Sequence, residues 1–311
     1  MSVQLTIPAN GVKTVNCELL QKWYDFLDVS ERTKAAYKQG ISNFRNFFKD
    51  KLQELTREDI IAWRNEMAKT LKASTIHLYL TAIKLFFRWL SQNGLALNIA
   101  DHVKGVRLSR EHRKDSLTLE QSKDLLKSIK VDGQKGLRNY AIISLMITTG
   151  LREIEVVRAN IEDLRAKGGG TVLFIQGKGR SEKSEYVKIA PQVEKSIREY
   201  LKARGKVEGN APLFASESLQ NKGQRLTTRS ISRIVKDALI EAGFNSDRLT
   251  AHSLRHTTAT IGLLNNGGNV REAQQCLRHS SLNTTLIYSH DLERSKNNFE
   301  LIVAEKIFEQ V

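Results

Sequence analysis

The sequence predicts a mainly α-helical protein of two domains, with a small antiparallel β sheet in the second domain. Apolar residues recur at helical spacing through residues 16–103 and again through most of the second half. Residues 104–115 are rich in charge and poor in large apolar side chains, which is typical of a linker. A triple glycine at 168–170 then precedes two short segments of β-type sequence.

Four helices are predicted before the linker, after a loose tail of residues 1–15. The first covers residues 17–26, and Ser30 is expected to cap the second. Thr56 marks the start of the third, and Ser74 opens the fourth, which stops at Asn93. Apolar and aromatic stripes on these helices favour a core rather than a base-stacking platform, and they include Tyr37, Ile41, Phe44, Phe47, Phe48, Trp63, Phe86 and Phe87.

The charge balance predicts an acidic partner. Lys and Arg number 49 against 34 Asp and Glu, which gives a net charge of +15 and a pI ≈ 9.8. Because the charges are interspersed, a folded surface should carry them, and nucleic acid is the simplest partner. The candidate phosphate contacts of the first domain, each of which singly is more often solvated surface, are Lys34, Lys38, Arg45, Lys72 and Lys84.

Other classes of protein fit the sequence less well. Two cysteines are too few for a disulfide framework or a thiolate zinc site. No apolar run approaches the length that spans a bilayer, and the first residues lack a secretory signal pattern. His252 and His256 are four residues apart but lack the glutamate of the zinc-protease motif H-E-x-x-H. The G-K-G-R turn lacks the G-x-x-x-x-G-K-[ST] spacing of a nucleotide-binding loop. We therefore expect a cytoplasmic protein without a metal or cofactor.

The second domain is predicted to span residues 116–311. Thr118 and Gln121 form a capping box at its start. A long apolar helix over residues 137–149 ends in T-G-L-R-E-I-E, where Gly150 suits the helix end.

Two strands and further helices follow. Residues 171–176 and 185–189 are predicted as strands that flank the G-K-G-R turn, and Pro191 begins a helix. Residues 228–242 are predicted as a helix with a basic side that faces DNA, formed by Arg229, Arg233 and Lys236.

Residues 250–290 concentrate the reactive side chains. They contain T-A-H-S-L-R-H, then L-R-H-S-S, then T-T-L-I-Y-S-H. His252 and Arg255, three residues apart on a helix, project from one face. Arginine offers a planar fork of donors that suits two phosphate oxygens. Tyr288 is a candidate nucleophile, because an activated tyrosine hydroxyl can form covalent intermediates.

These motifs resemble the tyrosine recombinase (phage integrase) family. That family combines T-G-L-R-x-x-E, a hairpin lysine, an H-x-x-R pair, an L-G-H motif and a later tyrosine. The catalytic residues that this resemblance implies are Arg152, Lys178, His252, Arg255, His279 and Tyr288, with Glu155 in support. Arg278 departs from the pattern, since the family usually has glycine there. It costs some strain if the backbone is left-handed, and otherwise it is another phosphate contact.

The resemblance also implies a mechanism without a metal. The two arginines would neutralise the phosphate while Tyr288 attacks it and forms a 3′-phosphotyrosine. His252 would accept the tyrosine proton, and His279 would donate to the phosphate. Lys178 on the hairpin would protonate the leaving 5′ oxygen, with Lys183 as a less favoured substitute.

The implied assembly is a tetramer on double-stranded DNA with paired inverted-repeat sites. The first domain would be the helical core-binding domain, which clamps DNA together with the catalytic domain. Residues 292–311 are predicted as a terminal helix that packs on its own domain or, as we favour, docks on a neighbouring subunit. Its predicted apolar face consists of Phe299, Ile302, Val303, Ile307 and Phe308.

Two other functions share parts of this pattern. A type IB topoisomerase uses the same Arg, Lys, His and Tyr chemistry, although L-R-H-S-S and the long terminal helix favour a recombinase. A DNA-binding regulator would keep the fold without the chemistry, and the intact set of catalytic residues argues against it.

Overall fold

The computed structural model describes residues 17–49, 55–107, 115–177, 180, 182–288 and 298–308. The described residues fall into two compact units, which divide between residues 107 and 115. Within these ranges, none of the helices combines the length and the apolar character that crossing a bilayer requires.

The first unit contains the four predicted helices. They are α1 (Cys17–Phe26), α2 (Glu31–Phe47), α3 (Arg57–Met67) and α4 (Ala73–Gln92). Ser30 caps α2 by accepting a hydrogen bond from the Thr33 amide at 3.3 Å. Thr56 and Asp59 form a reciprocal capping box at α3. The predicted start of α4 is one residue late, because Lys72 precedes the helix without a side-chain cap and Ser74 already lies inside it.

Aromatic side chains fill the core of the first unit, as the stripes predicted. Phe44 meets Trp63 edge-on, with ring centroids 4.9 Å apart. Trp23 meets Phe86 at 5.3 Å in the same manner. Phe47, at 43% exposure, is the exception among the predicted core residues.

The second unit is mainly helical and surrounds α6. Its helices are α5 (Leu119–Ser128), α6 (Gly133–Thr149), α7 (Glu153–Arg158), α8 (Pro191–Arg204), α9 (Thr228–Glu241), α10 (Ala251–Asn265), α11 (Val270–Leu277), α12 (283–288) and α13 (Phe299–Phe308). Residues 141–147 of α6 are all buried, which makes this helix the centre of the larger core. The capping box at Thr118 is present as predicted.

The chain between α7 and α8 forms a three-stranded antiparallel sheet. Its strands are β1 (Leu164–Lys167), β2 (Gly170–Ile175) and β3 (Glu185–Ile189), in that order across the sheet. The sequence predicted β2 and β3 but missed β1. That strand has only four residues, L-R-A-K, and is almost entirely exposed, so its alternation is too short and too weakly apolar to predict a strand. Gly168 and Gly169, both at positive φ, form the turn between β1 and β2.

Helix α13 is exposed along nearly its whole length, and none of its residues is buried. Phe299 is 67% exposed and Phe308 is 71% exposed. The single apolar face predicted for this helix is wrong in one respect. Phe308 follows Phe299 by about 2.5 turns and therefore lies on the opposite side, near Leu301. Apolar side chains thus surround the helix, and none of residues 298–308 is buried.

Candidate active site

The turn between α6 and α7 positions Arg152, the first of the predicted catalytic arginines. Gly150 ends α6 in the left-handed conformation, at φ 62°. A Cβ there would lie 2.7 Å from a terminal methyl of Leu277, so any larger residue would add a shift of that side chain to the strain of the left-handed backbone. Arg152 then caps α7, and its amide donates to Glu155 Oε2 at 2.8 Å. Its guanidinium donates to Glu155 Oε1 at 2.9 Å.

Glu155 joins two arginines. Its side chain is fully buried, and Arg278 Nη2 donates to the same Oε2 at 3.0 Å. A buried carboxylate is costly unless charged donors satisfy it. Glu155 meets this condition through one arginine nearby in the chain and one from the end of α11.

Arg278 follows α11 in the left-handed conformation, at φ 55° and ψ 47°. Its side chain is only 8% exposed, and Nη1 donates to the Cys276 carbonyl at 2.6 Å. The sequence left two alternatives for Arg278, a strained left-handed backbone or a phosphate contact. The structure has the left-handed backbone. The expected surface contact with DNA is wrong for this conformation, because the Arg278 side chain turns inward to Glu155.

Arg255 lies on α10 and is 2% exposed. Its Nη1 donates to the Gly150 carbonyl at 2.5 Å, and its Nη2 donates to the Leu277 carbonyl. Burial is the main reason that its pKa is lowered to about 10, and the charges of Arg152 and Arg278 act in the same direction. Arg255 therefore stays protonated at neutral pH and links the ends of α6 and α11.

Tyr288 lies on α12 and is 5% exposed. It belongs to a small apolar cluster with Ala259, Leu263, Ala273 and Leu277. Burial raises the pKa of its hydroxyl, and the positive charges of two arginines, Arg255 and Arg152, act in the opposite direction.

Histidines flank the Tyr288 ring. The His256 ring is 5.2 Å away, and the His279 ring stacks on it at 6.3 Å with an interplanar angle of 10°. His252 is exposed, and its ring lies 4.6 Å from that of His256. The His256 ring therefore lies between those of His252 and Tyr288. His256 contacts the tyrosine ring, although it was not among the predicted catalytic residues.

His279 is held by a threonine that sequence reasoning missed. Its Nδ1 lies 2.8 Å from Oγ1 of Thr285, which is fully buried. Burial is the main reason that the pKa of His279 is lowered to about 4, and the charge of Arg255 is the next cause. The ring is therefore neutral at pH 7. The only signal for Thr285 was its place in T-T-L-I-Y, because its partner is set by the fold of the segment.

The hairpin lysines have different outcomes. Lys178 lies outside the described residues. Lys183, the less favoured substitute, pairs with Asp163, which is 3% exposed. Asp163 also accepts from the Asn160 amide at 2.7 Å. Lys183 thus neutralises a buried carboxylate at the start of the sheet.

Comparisons with known proteins agree with this arrangement. The model of the phage integrase family matches residues 115–294, which is more than half of the chain. The model of its N-terminal SAM-like domain matches residues 19–96. The chain belongs to the phage integrase family.

Curated relatives carry the name tyrosine recombinase XerC. One from Pelobacter propionicus is 32% identical over 271 residues, which cover 85% of this chain and 86% of the relative. One from Lactobacillus delbrueckii subsp. bulgaricus is 28% identical, in a match that covers 84% of this chain and 88% of the relative. This integrase-family chain is accordingly a tyrosine recombinase, an enzyme of site-specific DNA recombination.

Solved structures share the fold. XerH recombinase bound to palindromic difH substrate has a TM-score of 0.73 at 22% identity, in a match that covers 91% of this chain and 84% of that one. A lambda integrase tetramer bound to a Holliday junction has a TM-score of 0.69 at 18% identity, with 90% and 78% covered. The mainly α fold predicted from the sequence, with a helical N-terminal domain and a small antiparallel sheet in the second domain, is confirmed.

The candidate DNA contacts of this recombinase differ in their surroundings. Lys38, Lys72, Arg229 and Arg233 are exposed, as a phosphate contact requires. Lys236 is partly buried, and its ammonium donates to the Ser246 carbonyl at 2.7 Å, so it holds the loop after α9.

The other three candidates lie in the first unit and are partly buried. Lys34 lies 3.5 Å from Glu31. Arg45 and Lys84 are partly buried on α2 and α4.

Among the described residues, no group of three or more His, Cys, Asp or Glu side chains is arranged to hold a metal ion.

Proposed function

We propose that this recombinase cuts and rejoins DNA at specific sites through a covalent 3′-phosphotyrosine at Tyr288. The observation that carries the proposal is the position of this tyrosine. Two histidine rings flank it within 5.2 and 6.3 Å, in the field of two arginines. These are the groups that a phosphoryl transfer to a hydroxyl requires.

Arg152 and Arg255 would bind the non-bridging oxygens of the scissile phosphate. Each guanidinium has five N–H donors. In the free protein two Arg255 donors hold backbone carbonyls, and one Arg152 donor holds Glu155. The remaining donors suit the phosphate, whose charge increases as the tyrosine attacks. Losing one such group typically costs about 10²–10³ in rate.

Proton transfer would rely on the histidines of the site. His279 is uncharged at pH 7, because its pKa is lowered to about 4. A neutral imidazole donates from one nitrogen and accepts at the other. His279 would hydrogen-bond the phosphate, and His252 would accept the tyrosine proton, with the His256 ring between the two. Lys178 remains the proposed acid for the leaving 5′ oxygen. No metal is required by these roles.

Tyr288→Phe is the direct test. On a nicked suicide substrate, the wild type should accumulate a covalent protein–DNA adduct, and Tyr288→Phe should bind the same DNA without forming one. Tyr186→Phe is a matched control, since this exposed tyrosine lies on β3. An undiminished adduct from Tyr288→Phe would overturn the assignment. Absence of any adduct from the wild type would favour the regulator instead. Cleavage should persist in EDTA.

We also propose that α13 couples subunits on DNA with paired inverted-repeat sites, in a tetramer. Apolar side chains surround this helix and remain exposed. Burying three of them would contribute roughly 4–9 kcal/mol before ordering costs. Docking on a neighbour would also move α12 and expose Tyr288, which is 5% exposed in the free chain. As an enzyme that acts on DNA, the protein is expected in the cytoplasm.

Removal of residues 299–311 tests the coupling. Binding to one site should persist, whereas cooperative binding to paired sites and strand exchange should be lost. Band-shift and sedimentation measurements on one-site and two-site DNA separate these effects. A folded truncation with unchanged cooperativity would contradict the role of α13.

A further inference from the structure

Arg278 is the one buried arginine of the described site that the family pattern does not supply. It occupies a left-handed position, which an arginine adopts only at a cost in strain. The other non-glycine residues at positive φ in the described ranges are Lys49 and His102, and both are exposed. Only Arg278 combines the strained backbone with a buried, charged side chain. Such a combination points to a functional constraint.

The bonds of Arg278 connect it to Arg152. Its Nη2 donates to Glu155 Oε2 at 3.0 Å, the same oxygen that accepts from the Arg152 amide. The other oxygen of Glu155 accepts from the Arg152 guanidinium at 2.9 Å. Any rotation of the carboxylate would therefore displace the Arg152 side chain.

We propose that Arg278 is a positioning residue of the recombination site, which fixes Glu155 and thereby presents Arg152 to the scissile phosphate. This inference rests on the proposed function, in which Arg152 binds that phosphate. Arg278 itself need not touch DNA. Its side chain is 8% exposed, and its Nη1 is committed to the Cys276 carbonyl at 2.6 Å.

Charge supports the same role. With Arg278, three buried or partly buried arginines surround one buried carboxylate, Glu155. The positive charge of Arg278 acts on both Arg255 and His279, whose pKa values it helps to lower. A site with this excess of positive charge favours an anion, and a phosphodiester brings one. The Nε of Arg278 is also buried without a hydrogen-bond partner in the described residues.

The test compares four variants in single-turnover cleavage of the suicide substrate, with protein in excess. Arg278→Met removes the charge and keeps much of the volume. Arg278→Gly removes the charge and also the backbone strain, so it guards against a folding defect. Arg278→Lys keeps the charge with a single donor group. Arg271→Met is the matched control, because it removes the same charge from an exposed position on α11.

We expect Arg278→Met and Arg278→Gly to slow adduct formation about ten- to hundredfold, as is usual for residues that orient a ligand through another group. DNA affinity should stay within about twofold, since the Arg278 side chain is buried. Arg278→Lys should recover part of the rate. Arg271→Met should cleave at the wild-type rate once DNA is saturated. Full activity in both Arg278→Met and Arg278→Gly would overturn the inference.

A double-mutant cycle with Glu155→Gln tests the route. If Arg278 acts through Glu155, adding Arg278→Met to Glu155→Gln should cost little further rate. Equal loss in both backgrounds would refute the positioning role even if Arg278→Met is slow. A wild type that forms no adduct would refute the proposed function itself, and that outcome is distinct from slow variants of an active enzyme.

Discussion

The two units bury different kinds of side chain. The first has a core of aromatic and aliphatic residues, and among its described residues no charged side chain is buried. The described part of the second unit buries acidic, basic and histidine side chains, which are Arg138, Glu155, Asp163, Arg255 and His256. Burial of an apolar side chain is stabilising whichever apolar groups surround it, because the hydrophobic effect is non-directional. A buried charge, in contrast, requires a specific polar or charged partner. The first unit is thus built for stability, and the second gives up some stability for its site.

The partners of the buried charges come from distant parts of the chain. Arg138 donates to the Ala215 carbonyl at 2.9 Å, and Arg255 donates to that of Gly150. Each bond holds together two segments that no local pattern connects. The contrast predicts that substitutions in the first unit change unfolding, whereas substitutions in the second change catalysis as well.

A substitution in the apolar core of the first unit should have the greatest effect. Trp63 is fully buried, and its Nε1 donates to Asn43 Oδ1 at 3.0 Å. Trp63→Ala should lower the free energy of unfolding of the first unit by about 3–5 kcal/mol, as measured by urea denaturation. Phe47→Ala, at a 43% exposed aromatic residue, is the control and should cost much less. Similar losses in the two variants would contradict a core centred on Trp63.

Arg255 should show the opposite behaviour, with the greater loss in catalysis. Arg255→Lys keeps the charge, but one ammonium cannot reproduce the planar fork that reaches both Gly150 and Leu277. Single-turnover cleavage should fall about 10²–10³-fold, equivalent to roughly 3–4 kcal/mol. Arg271→Lys, at an exposed position on α11, should retain nearly the full rate. Cleavage by Arg255→Lys at a near-normal rate would contradict the role of the fork.

A smaller effect is expected from pH. The pKa of His279 is lowered from 6.5 to about 4 in the folded protein, chiefly by burial. The folded state therefore favours the neutral ring. The contribution of this preference to the free energy of unfolding is fully present above pH 6.5. It is lost as pH falls from 6.5 towards 4, because the unfolded chain binds the proton first. After a discount for partial exposure, the loss is roughly 1–2 kcal/mol.

Chemical denaturation between about pH 7 and pH 4 measures this loss, with His279→Asn for comparison. The variant should show a correspondingly flatter dependence in this range. A wild-type curve that parallels the variant would show that His279 titrates normally.

The smallest effect is expected at the surface of the first unit. Lys38 is exposed, with its ammonium 4.9 Å from the centroid of the Tyr24 ring. Lys38→Ala should change unfolding by less than about 0.5 kcal/mol. If it contacts a phosphate, the slope of log K against log salt should become shallower by about 1. An unchanged slope in DNA-binding titrations would remove Lys38 from the interface.

Features that depend on neighbours in the chain could be predicted from the sequence. The caps at Ser30, Thr56 and Thr118 followed from side chains that bond amides three residues away. The left-handed end of α6 at Gly150 followed from the freedom of glycine. The motifs around Arg152 and Tyr288 indicated the family, which the comparison over residues 115–294 confirmed.

Features that depend on distant partners became visible only in the folded chain. Strand β1 is nearly all exposed and is specified by its pairing with β2. Arg278 was expected as a surface contact unless its backbone was left-handed, yet it meets Glu155 from 123 residues away. The neutral state of His279 likewise depends on burial and on arginines from three separate segments. A buried charge is stable only where the fold supplies its counterpart, and no local pattern records which residue that is.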